Sequence, residues 1–290
     1  MIWVNTVVQG ILLGGLYALF ACGLSLMFGV MNVINLAHGD LAVSAAYIAI
    51  GVVAVTHVPA ALSFLIVVPI FAVIGYVVQR TLFQAALNRS VLTTLLVTFG
   101  LSVVIENGLQ QYLSANSHSI DIGSLVSDSF GIGSQITIAY LDLVVLMVAV
   151  VVLLGLQYFL SSTANGRLIR AVADDPEAAQ LSGVSYRHVF GLAAAIAFGT
   201  VALAGLASGM MSQFGPTTGT DTLLLYAFEA VVIGGLGSLW GTLAGGILLG
   251  VAQQIGAQFS AADQVLAGQL LFLAILVLRP QGITSRREPA

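Results

Sequence analysis

The sequence predicts an all-α fold, a polytopic transmembrane helical bundle of about eight or nine segments, one of them broken or re-entrant. Hydrophobic residues make up 59% of the 290-residue chain and charged residues only 7%, whereas about a quarter of the residues in a soluble domain are charged. Apolar runs near the roughly 20 residues that a spanning helix requires recur along nearly the whole chain. We therefore expect residues 1–290 to form a single transmembrane domain.

Polar clusters bound the apolar runs and define nine candidate segments. The first follows an amino terminus without a positive charge and is too long for a cleaved signal peptide, so we expect it to remain as a span. Some segments are not expected to cross the membrane completely. In chain order they are Thr6–Val30, Leu41–Thr56, Ala60–Val78, Val91–Leu113, Ile138–Leu160, Val189–Ser212, Thr222–Leu239, Gly241–Gln258 and Val265–Leu278.

The basic residues predict the orientation of the bundle. All eight are arginines in three clusters, namely Arg80 and Arg89, then Arg167, Arg170 and Arg187, and finally Arg279, Arg286 and Arg287. Arginine-rich loops of multi-pass proteins face the cytoplasm, and an even number of segments separates each cluster from the next, so all three fall on one side. The opposite loops carry aspartates and no arginine. Counting back through three segments places the amino terminus outside.

Composition excludes several classes of function. A chain without lysine has no G-x-x-x-x-G-K-[ST] phosphate loop, so it is not its own ATPase of that type. A net charge of -4 offers no basic surface for nucleic acid. Cys22 is the single cysteine, and His118 has no second ligand at a suitable spacing, so we expect neither a disulfide nor a metal site.

The long cytoplasmic loop at about residues 161–188 contains a clearly specified short helix. Asp175 is a suitable N-cap, Pro176 suits the first helical position, and Glu177 complements the positive end of the helix dipole. Gly183 suits the position that ends the helix. The helix also presents small and apolar side chains, at Ala178, Ala179 and Leu181. Such a face is unusual for a loop in water and indicates cover by a second protein. The alternative is a surface turn whose alanines lie against the bilayer interface.

A polar stretch, Met31–Asp40, interrupts the apolar sequence between the first two segments. Broken helices at membrane depth are tolerated where they line a cavity or are buried in protein, and in transporters they mark the path. We therefore expect Asn32, Asn35 and His38 to border a translocation path or its inner gate. Asp40 would be the N-cap of the next helix. An ordinary cytoplasmic turn is the alternative.

Glu229 lies inside an apolar run, where a carboxylate costs about 2.5–3.5 kcal/mol on insertion scales and therefore usually faces a cavity or a partner group. It is the strongest intramembrane candidate for the path, with a structural hydrogen-bonding anchor as the alternative. Ladders of small residues, by contrast, indicate close helix packing. They occur at Gly237, Gly241 and Gly245, at Gly246 and Gly250, and at Gly205 and Gly209.

Several motifs resemble one superfamily of membrane proteins. Glu177-Ala178-Ala179, followed by three residues and Gly183, resembles the E-A-A-x-x-x-G loop of ABC importer permeases. Further stretches resemble the branched-chain amino-acid branch of that superfamily, and within it the shorter of the two permease subunits. These stretches are Gly15–Leu19, Gly29–Asp40, Gly166–Val172, Gly234–Gly241 and Arg279–Gly282.

The resemblance implies a permease subunit of a bacterial inner membrane, surrounded by lipid, that imports branched-chain amino acids or related small solutes. It implies that Asp175–Gly183 is the coupling helix that seats in a groove of an ATPase subunit. The implied partners are a second permease in a heterodimer, two cytoplasmic ABC ATPases and an extracytoplasmic solute-binding protein. No cofactor is implied for this chain, since ATP is used by the partner subunits.

Other functions fit parts of the sequence. An ABC permease for urea or short amides is one alternative, because superfamily members that carry such solutes have nearly the same arrangement of spans. An ion-coupled secondary transporter would suit a buried Glu229 and the broken stretch Asn32–Asp40. An intramembrane enzyme using His38 and Asp40 is disfavoured, because neither a nucleophile at a defined spacing nor a metal set accompanies them.

Overall fold

The computed structural model describes residues 2–113, 115–123, 128–132 and 136–284. The helices are α1 (Ile2–Met31), α2 (His38–Thr56), α3 (Phe64–Val78), α4 (Gln84–Leu87), α5 (Val91–Leu113), α6 (Tyr140–Ser162), α7 (Ala164–Asp174), α8 (Pro176–Leu181), α9 (Tyr186–Met211), α10 (Leu224–Gly234), α11 (Leu239–Ala257) and α12 (Ala261–Leu278). A 3-10 turn, Ala60–Leu62, precedes α3, and π-helical turns lie at Gln79–Phe83 and Gly219–Leu223. One hairpin pairs β1 (Ser129–Ile132) with antiparallel β2 (Ile136–Ala139).

Seven helices in the described part of the chain are long and apolar enough to cross a membrane, and there are up to eight if the bent pair Gly219–Gly234 and Leu239–Ala257 is one span. The predicted multi-span helical bundle is confirmed. The predicted continuous segment Thr222–Leu239 is wrong, because α10 ends at Gly234 and the pair is bent by 117°. Gly235 and Gly237 have φ angles of 106° and 80°, and glycine adopts such angles at little cost, so the turn forms here.

Helix α1 lies at the centre of the bundle and contacts α6, α9, α10 and α11. Glycines allow α1 and α11 to approach closely. A Cβ atom on Gly250 would lie 2.3 Å from the carbonyl oxygen of Gly10, and one on Gly14 would lie 2.5 Å from the Cα atom of Ile247. Helices in lipid associate through such small-residue contacts, since lipid tails provide no hydrophobic drive to bring them together.

The other glycine ladders also lie at helix contacts. A Cβ atom on Gly245 of α11 would lie 2.1 Å from the carbonyl oxygen of Ala230 in α10. One on Gly205 of α9 would lie 2.1 Å from the carbonyl oxygen of Ala42 in α2. Packing therefore explains both positions.

The described arginines lie at one end of the bundle. The Arg80 guanidinium carbon lies 5.8 Å from the ring centre of Tyr76, whose hydroxyl group forms a 2.9 Å hydrogen bond with His188 at the start of α9. Arg170 lines a cavity that the α10–α11 turn closes, and the residues after Arg279 pack on the same turn. We name this the arginine-bearing end. Its remaining arginines are Arg89, Arg167 and Arg187. Arg286 and Arg287 lie outside the described residues.

The opposite end carries the connection from α5 to α6. Its hairpin reaches the first turns of α1, where Gln9 Nε2 donates a hydrogen bond to the carbonyl oxygen of Thr137. His118 forms an isolated antiparallel bridge with Phe214, and its ring lies 5.4 Å from that of Tyr47. The loop that the sequence predicts outside the membrane therefore contacts α1, α2 and the residues that follow α9.

The α1–α11 contact predicts a difference between two glycine substitutions. Gly250→Ala places a methyl group against the backbone of Gly10, so we expect overpacking to lower the free energy of unfolding by about 1–3 kcal/mol. Gly155→Ala is the matched control, because a Cβ atom there meets nothing within 4 Å and alanine favours a helix by about 1 kcal/mol. Thermal unfolding in one detergent measures both. Equal midpoints would contradict the close contact.

Candidate functional site

Residues 175–183, named the coupling segment, form the capped short helix that the sequence predicts. The Asp175 carboxylate accepts hydrogen bonds of 3.0 Å from the backbone N–H groups of Glu177 and Ala178. Gly183 ends the helix with a φ angle of 85°, in the left-handed region that glycine adopts without a steric penalty. Both ends of α8 are therefore specified by local sequence.

The coupling segment presents an apolar side chain outward. Leu181 is 92% exposed, whereas Ala179 is buried. The carbonyl oxygen of Ala179 accepts a 3.1 Å hydrogen bond from the N–H group of Val184, which ties the segment to the start of α9. Pro176 and Glu177 are exposed in the first turn. The Leu181 side chain is therefore not packed against the described part of the chain.

Helix α7, which the sequence analysis did not identify, fixes the coupling segment to the bundle. Its N-cap is Thr163, whose hydroxyl oxygen accepts a 3.0 Å hydrogen bond from the N–H group of Gly166. A Cβ atom on Gly166 would lie 2.1 Å from the carbonyl oxygen of Phe159 in α6, and Ile169 and Val172 are completely buried. A single extended residue, Asp175, separates α7 from α8. Because only one residue connects the two helices, a displacement of α8 would be passed on to α7.

A cavity of about 300 Å³ lies between α7, the ends of α1 and α6, and the α10–α11 turn. Ser25 and Arg170 are among its lining residues. The buried Ser25 hydroxyl group has no hydrogen-bond partner among the described residues. The cavity therefore separates part of α7 from the end of α1.

Residues 32–37 carry the chain back into the bundle. Helix α1 ends at Met31, and Asn32 has a φ angle of 52°, a conformation in which asparagine sometimes closes a helix. After this short stretch, His38 Nε2 forms a 2.9 Å hydrogen bond with the carbonyl oxygen of Phe20. Phe20 lies about 16 Å before Met31 along the helix axis, at 1.5 Å per residue. The break is therefore re-entrant, and α2 begins at membrane depth.

The predicted N-cap of α2 is wrong, because the helix begins at His38 and contains Asp40 in its first turn. Asn35 makes the turn instead. Its Oδ1 atom accepts a 3.1 Å hydrogen bond from the N–H group of Ala37, and its carbonyl oxygen accepts one of 3.2 Å from that of His38. Asn35 and His38 are completely buried, whereas Asn32 is exposed. In this conformation, therefore, only Asn32 of these three is open to solvent or lipid.

Asp40 joins three elements inside the bundle. Its carboxylate accepts a hydrogen bond from Ser102 of α5 and another, of 2.9 Å, from Thr220 in the π-helical turn before α10. The Thr220 hydroxyl group also lies 3.3 Å from a carboxylate oxygen of Glu106. One hydroxyl hydrogen thus serves two carboxylates. We name Asp40, Ser102 and Thr220 the Asp40 junction.

Glu229 of α10 is completely buried, and neither of its carboxylate oxygens has a partner in hydrogen-bonding geometry among the described residues. Gln269 of α12 is the polar side chain that interacts with the carboxyl group. Tyr17 and Tyr226 lie close by, with ring centres 5.0 Å apart, and the Tyr17 hydroxyl group donates to Gln253 of α11. Glu229 therefore lies in a polar cluster where α1, α10, α11 and α12 meet, without a hydrogen bond in good geometry that would identify it as a structural anchor.

Sequence reasoning missed the partners of Asp40, among which Thr220 also bonds Glu106. Glu106 is half-buried and accepts hydrogen bonds from Thr220 and, at 3.2 Å, from Gln110. The signal was the spacing along α5, because polar residues recur at every fourth position, so each lies next to the following one on a stripe that winds around the helix. They are Thr94, Thr98, Ser102, Glu106 and Gln110.

Known proteins are similar to the chain over nearly its whole length. The family described as "Branched-chain amino acid transport system / permease component" matches residues 6–278. The chain is 30% identical to the high-affinity branched-chain amino acid transport system permease protein BraD of Pseudomonas aeruginosa, over 99% of this chain and 97% of BraD. It is 28% identical to LivH of Escherichia coli K12, over 97% and 94%, and 31% identical to the fructose import permease protein FrcC of Rhizobium meliloti, over 76% and 62%. No solved structure matches the chain significantly.

The Asp40 junction predicts that Ser102→Ala is more destabilising than Ser44→Ala. The first change removes a hydrogen bond to a buried carboxylate, and bonds to charged groups contribute about 1.5–3 kcal/mol. The second removes a hydroxyl group that donates only to the carbonyl oxygen of Asp40 within its own helix, for which we expect about 0.5–1 kcal/mol. Thermal unfolding of the two purified variants measures the difference. A Ser44→Ala variant as unstable as Ser102→Ala would contradict the junction.

Proposed function

The chain belongs to the family of permease components of branched-chain amino acid transport systems, and we propose that it lines the translocation path of an ABC importer together with a second, non-identical permease. It is a multi-pass membrane protein and the permease component of such a system. In the proposed assembly, two cytoplasmic ATPases supply the energy and an extracytoplasmic binding protein delivers the solute. The whole chain acts as one permease domain of a bacterial inner membrane.

The coupling segment is the observation that carries this proposal. Its helix is capped at both ends, lies outside the spans and exposes Leu181 and Glu177. We propose that Asp175, Pro176, Glu177, Ala178, Ala179, Leu181 and Gly183 form the surface that seats in an ATPase subunit. When the ATPases close, the displaced α8 moves α7, and α7 moves the ends of α1 and α6 that it packs against. Rigid-body motion of this kind is a known way to switch a cavity from one side to the other.

The proposed orientation follows from the arginine-bearing end, since arginines near the ends of spans remain in the cytoplasm. This places the coupling segment beside the ATPases. The amino terminus and the β1–β2 hairpin then face outward, where the binding protein docks. The contact of the hairpin with the first turns of α1 supports a firm docking surface there.

Four residues are proposed to border the path, each in a different role. They are Asn32, Asn35, His38 and Glu229. Asn32 is exposed after the end of α1, at the arginine-bearing end, and is proposed to lie at the inner mouth. The buried Asn35 and His38 hold the re-entrant stretch in place through their hydrogen bonds. Glu229 is buried in α10 and would border the path from its polar cluster beside Tyr17 and Tyr226.

Branched-chain amino acids are the proposed cargo, because the relatives that align over nearly the full length are named for them. The frame alone does not define cargo, since more distant relatives are named for fructose and ribose. Urea or a short amide is the alternative within the superfamily. An ion-coupled secondary carrier is a second candidate, favoured only by the Glu229 carboxylate that lacks a hydrogen-bond partner among the described residues.

The source of energy tests the proposed function. In cells or vesicles containing the whole assembly, we expect uptake to continue when the proton gradient is collapsed and to stop when ATP is depleted, because no part of the proposed cycle uses an ion gradient. Radiolabelled leucine uptake measures both. Uptake that follows the gradient and ignores ATP would overturn the importer and support the secondary carrier.

Substitutions in the coupling segment test its role. Leu181→Ala should weaken binding of the co-purifying ATPase subunits by about thirtyfold, because truncating an interface hot spot costs about 2 kcal/mol or more. Gly183→Pro and Glu177→Arg should leave membrane insertion intact and uncouple uptake from ATP hydrolysis. Proline cannot adopt the φ angle of Gly183, and it removes the N–H group that donates to Gln180. Pull-down and coupled ATPase assays provide the measurements.

Val55→Ala is the matched control for Leu181→Ala. Val55 is 81% exposed and lies at the end of α2, away from the arginine-bearing end. The Val55→Ala variant should bind the ATPases as tightly as the unmodified chain does. Unchanged ATPase binding and uptake in all three coupling-segment variants would reject the coupling role.

A further inference from the structure

The cavity beside Arg170 has a chemistry that the proposed coupling mechanism does not use. It has a volume of about 300 Å³ and lies between the ends of α1 and α6, helix α7 and the α10–α11 turn. Leu26, Ile169 and Leu239 are among its apolar walls. Arg170 is the one charged side chain among the described residues that line it. The cavity therefore combines apolar walls with a single positive charge.

The Arg170 side chain is held at the rim of the cavity and keeps donors to spare. Its Nη2 atom donates a 3.3 Å hydrogen bond to the carbonyl oxygen of Ser161 at the end of α6. A guanidinium group has five N–H donors, and Arg170 is otherwise exposed. Arginine binds carboxylate and phosphate groups through pairs of parallel hydrogen bonds. The rim therefore favours an anionic ligand.

The first turn of α11 adds backbone donors to the same cavity. Its N-cap is Ser238, whose hydroxyl oxygen accepts a 3.1 Å hydrogen bond from the N–H group of Gly241. The N–H groups of Leu239 and Trp240 have no partner within the described ranges of the chain, because the opening turn of a helix provides none. The positive end of the α11 dipole thus borders the cavity that Arg170 lines, and helix N-termini of this kind bind phosphate.

Ser25 independently indicates a ligand in this cavity. It is 1% exposed and lines the cavity, yet its hydroxyl group has no hydrogen-bond partner among the residues that the structure describes. Buried hydroxyl groups in proteins are almost always satisfied by protein, water or a bound molecule. Gly29, one turn further along the same face of α1, lies against Gly237 of the α10–α11 turn. The Ser25 hydroxyl group is therefore about one helical turn deeper than that turn.

The two tryptophans of the chain place the cavity at a membrane interface. Trp240 lines it and is 47% exposed, while the ring of Trp3, which is 55% exposed, lies 6.4 Å from that of Phe259, just beyond the other end of α11. The 19 residues of α11 span about 28 Å at 1.5 Å per residue, close to the roughly 30 Å of a hydrocarbon core. Tryptophan is enriched at both interfaces. The cavity therefore lies at the depth of lipid headgroups.

We propose that this cavity binds the phosphate group of an anionic phospholipid of the inner leaflet. Arg170 and the free N–H groups of Leu239 and Trp240 bind the phosphate oxygens, and the deeper Ser25 hydroxyl group donates to an ester oxygen of the glycerol. We name these groups the lipid phosphate site. The apolar walls then contact the acyl chains. Basic pockets between spans on the cytoplasmic side bind lipid headgroups in this way.

A free phosphate ion has the same binding chemistry, but the headgroup depth and the apolar walls of the cavity favour the lipid. The proposal goes beyond the proposed function, since it depends neither on the ATPases nor on the cargo. A bound phosphate would join α7, which carries Arg170, to the start of α11.

Quenching of Trp240 fluorescence by brominated lipids tests the lipid phosphate site. In the full chain, Trp3→Phe leaves Trp240 as the only tryptophan. The chain is reconstituted in phosphatidylcholine vesicles that contain a rising fraction of brominated phosphatidylglycerol or, in the matched series, of brominated phosphatidylcholine. The bromines lie on the acyl chains close to the headgroup, so quenching measures lipid beside Trp240. We expect phosphatidylglycerol to be preferred at least about fivefold, the equivalent of about 1 kcal/mol for one arginine near a lipid surface.

Substitutions of two arginines separate a site from general attraction to positive charge. Arg170→Gln should reduce the preference to about one, and Arg170→Lys should keep most of it, because the charge remains. Arg187→Gln is the matched control. Arg187 lies at the start of α9, at the arginine-bearing end, and is not among the residues that line the cavity. Its loss changes the net charge equally and should leave the preference unchanged.

Equal quenching by the two lipids in the Trp3→Phe chain would overturn the proposal, and this measurement needs no substitution in the lipid phosphate site. An equal loss of preference in Arg170→Gln and Arg187→Gln would also overturn it. Inorganic phosphate separates the two sources of the phosphate group. Relief of the phosphatidylglycerol quenching by phosphate, but not by chloride at equal ionic strength, would mean that the cavity takes phosphate from water and would reject the lipid. Unchanged quenching in phosphate supports the lipid.

Discussion

The requirement that backbone and side-chain polar groups find partners inside the protein governs this structure, because a hydrocarbon core contains no water to satisfy them. The re-entrant stretch 32–37 shows this for the backbone, while the Asn35 Nδ2 and His38 Nδ1 atoms are buried without a hydrogen-bond partner among the described residues. It survives at membrane depth because Asn35 satisfies the N–H groups that begin α2 and because His38 bonds the carbonyl oxygen of Phe20. The surrounding helices then separate this stretch from lipid. A bundle with a less crowded centre would expose this broken backbone to lipid.

The same requirement divides the chain into a tightly packed part and a loosely held part. Glycine contacts fix α1 against α11, α11 against α10, and α9 against α2. Helix α5, by contrast, makes no such glycine contact and bonds α2 through Ser102 and Asp40. Helices α3, α6 and α12 are likewise exposed over most of their length. The glycine-packed helices form the part of the subunit that resists relative motion, since packed interiors deform little.

The proposed coupling segment and the Asp40 junction lie in different parts of the chain. The coupling segment, α7 and the cavity beside Ser25 occupy the arginine-bearing end, and the Asp40 junction lies deeper, where α2 begins. Helix α1 connects them, because α7 packs near its end and His38 bonds its middle at Phe20. A shift of α1 in response to α7 would therefore act on the first turn of α2, which carries Asp40. This gives the proposed cycle a continuous mechanical route.

Local sequence determined those features that depend on neighbours along the chain: the apolar spans, the caps at Asp175 and Gly183, and the glycines that permit close contact. Tertiary structure decided the rest. Asp40 appeared to be a helix cap because aspartate often caps, yet the chain turns earlier at Asn35, and Asp40 bonds Ser102 and Thr220, far away in sequence. Helix α7 was missed because it is short and amphipathic, and a criterion based on long apolar runs does not detect such a helix. The four-residue period of α5 could be read from the sequence, but not the partners of its polar residues, because those depend on which helices lie beside it.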